Sequence, residues 1–167
     1  TTGKYYRDKY HLGYAAIVGD YVYSSSYESG EGFTSTDMGA NATRNETFAS
    51  LNPYTGPGAL APLLKVNAAG NALNPRTFEV RVNGNFIANQ VMDFFDYVKV
   101  SFPLTISDIS SGSALVSIKN NNTTTDRMVI GQTELIYPRQ FNFGGANNFY
   151  FELPANNAGN YLEISGF

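Results

Sequence analysis

Apolar and polar residues alternate along much of this chain with a period of two, the spacing of a strand that buries one face. No stretch carries a convincing 3.6-residue helical period. Residues 4–12 form the first run, dense in tyrosine and ending at Gly13. Residues 15–23 form a second, split by Gly19-Asp20, and residues 24–42 read as a long Ser/Gly/Thr-rich loop. Residues 44–51 resume as a strand until the turn formers of residues 52–58 break it. Residues 59–66 read as a buried strand in which Pro62 argues for an edge position or a bulge. Phe78, Val80 and Val82 share one face of the next strand, with Glu79 and Arg81 on the other. Asn83-Gly84 follows, the dipeptide best suited to a type I′ turn, so residues 85–92 are the return strand of a hairpin. Residues 94–106, 114–118 and 128–137 complete the set.

About eight strands over residues 4–137 predict an all-β fold, an antiparallel two-sheet sandwich. Long strands and uneven loops favour a jelly roll, with an immunoglobulin-like sandwich as the alternative. After Arg139 the pattern changes to the glycine-rich segment 141–146 and two short apolar runs, 149–154 and 161–164. Two strands alone are marginal in water. Residues 1–139 are therefore expected to be the sandwich, and residues 140–167 the opening strands of a following, truncated β-module. The opening Thr1-Thr2-Gly3, with neither an initiator Met nor a signal peptide, reads as the start of an excised piece.

Composition narrows the chemistry. The 167 residues suit one domain, or one domain plus a fragment. Charged residues are 15% of the chain, against about 25% in an average protein, and aromatics are 14%. That balance fits an extracellular type of β-domain. A net charge of −3 leaves no basic footprint for nucleic acid. No apolar run reaches the length of about 18 residues that a membrane-spanning helix needs. Cysteine is absent and histidine occurs once, at His11, which excludes a thiolate nucleophile, a disulfide framework and a thiolate zinc site. A serine triad would have to use His11, and no G-x-S-x-G elbow is present. No catalytic residue is expected in this segment.

Two features are candidates for binding. The first is the glycine-rich acidic loop bearing Glu28 and Glu31, with Asp37 nearby. Carboxylates and exposed carbonyls are what a hard cation such as calcium takes, and a solvated acidic loop is the alternative. Glu28 with Glu31 also has the composition of a glycosidase pair, but nothing in a sequence sets their separation. The second is the tyrosine cluster at positions 5, 6, 10, 14, 21, 23 and 27. Tyr5, Tyr6 and Tyr10 would form an aromatic face for sugar rings, or serve as strand formers that pack the sheet. Asn41-Ala42-Thr43, Asn45-Glu46-Thr47 and Asn122-Thr123-Thr124 match glycosylation acceptors, and chance matches are expected in so Asn- and Thr-rich a chain. No cofactor is required, with calcium left as an open alternative.

Four segments carry a family resemblance. They are Lys4-Tyr5-Tyr6-Arg7-Asp8-Lys9-Tyr10-His11-Leu12-Gly13, the Gly30-Glu31-Gly32-Phe33 loop, Ile136-Tyr137-Pro138-Arg139, and Tyr161-Leu162-Glu163-Ile164-Ser165-Gly166-Phe167. Together the chain resembles the region just ahead of the catalytic domain in large gingipain-like cysteine peptidases of Bacteroidetes, which include the sortase-like proteins of type IX secretion. The resemblance implies a secreted or surface-attached, outer-membrane-associated parent, with this piece as its N-terminal β-domain. In that family the catalytic Cys and His lie in a separate α/β domain, and nothing here matches them. The expected role is a non-catalytic accessory domain that packs on neighbouring domains or holds a polypeptide. The alternative is a carbohydrate-binding jelly roll, calcium-stabilised or not, that binds glycan. An adhesin or pilus-type subunit fits the composition but has no specific residue behind it.

Overall fold

The computed structural model describes residues 5–12, 34–123, 125–143, 145, 150–153, 155, 157 and 159. The strand expected at 15–23, the loop bearing Glu28 and Glu31, and the run at 161–164 lie outside the described residues. The described residues form nine strands: β1 (Tyr6–Leu12), β2 (Met38–Gly39), β3 (Thr43–Phe48), β4 (Leu63–Gly70), β5 (Arg76–Val82), β6 (Asn85–Met92), β7 (Tyr97–Pro103), β8 (Ala114–Asn120) and β9 (Arg127–Arg139). One 3₁₀ turn, Ile106–Asp108, lies between β7 and β8, and the described residues hold no α-helix.

The strands form two antiparallel sheets. One runs β1-β9-β4-β7, with β2 also on β9, and the other runs β3-β8-β5-β6. The pairs nest: β5 with β6, β4 with β7, β3 with β8, and β1 and β2 with β9. The chain is thus one long double-stranded hairpin rolled around a core, which is the jelly-roll ordering and not the immunoglobulin one.

The roll starts at the β5–β6 hairpin. Asn83 has φ 50° and Gly84 φ 83°, the pair of positive angles a type I′ turn requires. The Asn83 side chain donates to the carbonyls of Asp108 (2.7 Å) and Ser113 (3.1 Å) and accepts from the Leu115 N–H (2.9 Å). One turn residue therefore also fixes the start of β8. Phe78, Val80 and Val82 are fully buried, as their alternation predicts. They meet Phe48, Leu64, Val66, Val116, Ile118, Ile130 and Leu135 in a single core between the sheets. Each such side chain contributes on the order of 1.5–3 kcal/mol on burial.

Two details depart from expectation. Pro62 was expected inside an edge strand or at a bulge. Instead it precedes β4, which is a central strand between β9 and β7. Proline lacks the N–H a central ladder needs, and its carbonyl accepts from the Leu104 N–H at 2.9 Å. The second is a bulge in β9. Its ladder to β4 shifts between Asn67 and Ala68, leaving Gly131 as the extra residue. Inward-facing residues are Met128 and Ile130 before it, and Thr133, Leu135 and Tyr137 after it. The glycine switches which parity faces the core.

Candidate interaction surface

Outward-facing positions of three adjacent strands build a groove of about 350 Å³ on the five-stranded sheet, lined by Lys65, Asn67, Lys99, Ser101, Gln132 and Glu134. Each strand supplies a polar pair two residues apart, and the register stacks these pairs into two rungs. One rung is Lys99, Asn67 and Gln132, and the other is Ser101, Lys65 and Glu134. Asn67 Nδ2 donates to Gln132 Oε1 at 3.1 Å, and Lys65 Nζ lies 3.0 Å from Glu134 Oε1. Lys99 Nζ sits 5.0 Å from the Tyr97 ring centroid, a cation–π geometry. The Tyr97 hydroxyl is buried without a hydrogen-bond partner among the described residues. Lys65 and Glu134 compensate each other and Lys99 rests on the Tyr97 ring, while side-chain amides and a hydroxyl remain as donors and acceptors.

Of the predicted binding residues, Glu28 and Glu31 lie outside the described residues, and Asp37, Tyr5, Tyr6 and Tyr10 fall elsewhere than the groove. Asp37 precedes β2 and accepts from Asn71 Nδ2 at 3.1 Å, with Arg127 3.7 Å from its other oxygen. It borders a cavity of about 450 Å³ whose lining includes Asn71, Asn74, Phe95, Asp126 and Arg127. Among the described residues no cluster of three or more His, Cys, Asp or Glu is placed to hold a metal. Tyr5 lies near the far end of β9, roughly 35–40 Å along the strand at about 3.3 Å per residue, because β1 pairs with the last residues of β9 and β2 with the first. Its ring stacks on Tyr54 with centroids 5.1 Å apart, and its hydroxyl donates to Gly58 O at 2.9 Å. Tyr54 also lies close to Gly56, where an added Cβ would come 2.5 Å from the Tyr54 hydroxyl. Tyr6 and Tyr10 lie within β1, in register with Arg139 and Leu135.

The end of the sandwich where β9 stops is also knit together. Tyr137 donates to Asp8 Oδ2 (2.9 Å), and Arg139 reaches the same oxygen (3.2 Å) and the Asn142 carbonyl (3.0 Å). Burial, then the Asp8 charge, push the Tyr137 hydroxyl pKa well above its ordinary value. Beyond it, Glu152 forms an antiparallel bridge and an ion pair with Arg7, and the Phe151 ring packs on Phe141 and Phe143.

The groove escaped the sequence reading. Its trace was present as polar residues at i and i+2 in three otherwise apolar strands, but only the register shows that they stack.

No family model matches the chain, and no curated protein matches it significantly. Among solved structures it is similar to part of dimeric latent PorU from Porphyromonas gingivalis, at 16% identity and a TM-score of 0.59. That match covers 87% of this chain and 14% of the other, so the chain spans about a seventh of the length of that protein. It is also similar to a CBM36-1 domain of a multidomain xylanase from the hindgut metagenome of Trinervitermes trinervoides, at 10% identity and a TM-score of 0.48, covering 84% and 100% of the two chains. A carbohydrate-binding module CBM36 in complex with calcium and xylotriose matches at 12% identity and 0.49, covering 77% and 98%. At such identities the likeness is one of fold.

Proposed function

We propose that this chain is a non-catalytic accessory domain of a secreted or cell-surface gingipain-like cysteine peptidase, and that it acts by holding polypeptide against its polar groove. The resemblance of its N-terminal, loop and C-terminal segments to that family motivates the placement. The fold likeness to one segment of the much longer PorU chain supports it. The observation that carries the binding role is the two-rung arrangement itself. Asn67, Gln132 and Ser101 offer the donors and acceptors that pair with peptide groups, on a face where Lys65 is paired with Glu134 and Lys99 with the Tyr97 ring. Sugar recognition leans instead on an open aromatic face, and the ring beside this groove, Tyr97, already carries the Lys99 ammonium.

The test is a paired screen of the purified chain against extended peptides and a glycan array. Peptide binding should weaken about tenfold or more in the Asn67→Ala/Gln132→Ala double variant, as expected for two lost hydrogen bonds. Glycan binding without peptide binding would move the chain to the carbohydrate-binding reading. No peptide in the screen should be cleaved, and robust hydrolysis would overturn the non-catalytic role.

A further inference from the structure

The four edges of the two sheets are not equally protected. On β3, Arg44 and Glu46 pair across the ladder with Ile118 and Val116, whose side chains face the core, so two charged side chains point inward at that edge. They form an ion pair with Arg44 Nε 2.6 Å from Glu46 Oε1. Inward charges on an edge strand deter further strand pairing. β7 carries Lys99 and ends in Pro103, and β1 is bridged by Glu152.

The fourth edge, β6, shows a single device, a register shift against β5 that leaves Ile87 as an extra residue. Its eight residues, Asn85–Met92, include no charge and no proline. Among the described residues it pairs with β5 alone, so the backbone groups on its other side meet no described strand. Phe86 and Val91 are 53% and 64% exposed. β6 and β7 end their sheets at the same rim, where Ile87, Ala88, Val98 and Val100 pack on the core but remain half-buried. An edge of unpaired N–H and C=O groups is completed by another extended backbone, and a half-covered apolar rim by side chains at every second position.

We propose that β6 is a strand-addition site for an extended polypeptide whose apolar side chains recur at alternate positions and drop into the rim between β6 and β7. The inference deepens the proposed role and rests on it in one respect, that the partner is polypeptide. The surface shares Val100 with the lining of the groove but differs from it in kind, since the groove reads side chains on a sheet face. At β6 the backbone supplies the pairing and the rim supplies the selectivity.

The probe is a synthetic peptide, Arg-Thr-Phe-Glu-Val-Arg-Val, which has the stated alternation and copies the strand that already pairs with β6. Titrated into the isotope-labelled chain, it should shift the backbone amides of residues 85–92. The same peptide N-methylated at alternate amides, which keeps its side chains but cannot form a ladder, should bind at least tenfold more weakly. Ile87→Lys, which gives β6 the kind of charge β3 carries, should weaken binding to a similar degree. If that variant does not fold, the N-methylated peptide carries the test. Shifts confined to the side-chain amides of Asn67 and Gln132 would overturn the edge assignment and leave the polypeptide-binding reading standing. Absence of binding at millimolar peptide, or equal binding of the N-methylated form, would also overturn it.

Discussion

A guanidinium removed from water must find acceptors, and all three nitrogens of Arg76 do. Its Nε and Nη2 bond the Asp126 carboxylate at 2.9–3.1 Å, Nη2 also reaches the Ala72 carbonyl, and Nη1 reaches that of Phe94. Both charged side chains are 0% exposed, and Asn120 donates to Asp126 at 2.9 Å. Removing one member of such a pair leaves a buried charge unpartnered, so Asp126→Asn should cost about 3–5 kcal/mol in denaturant unfolding. Burial alone would raise the Asp126 pKa, but hydrogen bonds from Arg76 and Asn120 and the Arg76 charge outweigh it and hold the pKa below the ordinary value. A carboxyl depressed in the folded state contributes stability above its unfolded pKa of about 3.9 and loses it as pH falls through the folded value. Stability measured from pH 6 to pH 2 should therefore fall more steeply in the parent chain than in Asp126→Asn. Equal slopes would mean that the pair does not titrate with unfolding. Tyr137 has the opposite sign. Its raised pKa keeps its contribution intact below about pH 10 and loses it at higher pH, so Tyr137→Phe should flatten the alkaline limb of the same profile.

At the scale of elements, two glycines separate two different constraints. Gly84 has φ +83° and no described residue within 4 Å of where a Cβ would stand, so Gly84→Ala should cost only its backbone strain, about 1 kcal/mol. At Gly70 a Cβ would come 1.9 Å from the Phe94 carbonyl oxygen and 2.0 Å from an Arg76 nitrogen. Gly70→Ala should therefore displace the buried ion pair and cost more than twice as much, which thermal unfolding of both variants would show. The first glycine was legible in the sequence and the second was not, for a physical reason. Turn chemistry is local, so Asn83-Gly84 could be read from two letters, as could the parity of Phe78, Val80 and Val82. Gly70 matters through Phe94 and Arg76, which the fold brings to it. The same distinction covers the groove, because Asn67 and Gln132 are polar residues in apolar runs until the ladder places them side by side. It covers Tyr5 as well, whose tyrosine-rich surroundings gave no sign that Tyr54 would stack on it.

For the whole molecule, the nested order of strand pairs sets a gradient of loop closure. The β5–β6 pair closes across two residues, whereas β1 meets β9 from residue 6 to residue 139. Closure entropy rises with loop length, so each outer pair is best formed after the inner pairs have shortened its effective loop. Folding should accordingly be slow, in milliseconds to seconds, with the hairpin and its β8 neighbour formed early and β1 docking late. Two substitutions separate the ends of that gradient. Val80→Ala removes a fully buried side chain from the hairpin. If about half of a 2 kcal/mol loss is already felt in the transition state, folding slows about fivefold. Asp8→Ala strips Tyr137 and Arg139 of a shared partner at the outermost pair, so its cost should appear almost wholly as faster unfolding, with the refolding rate changed less than about twofold. Stopped-flow chevrons of the two variants decide the order. Slower refolding in Asp8→Ala with an unchanged refolding limb in Val80→Ala would mean that the roll closes from its ends, with β9 as the template on which the hairpin later assembles.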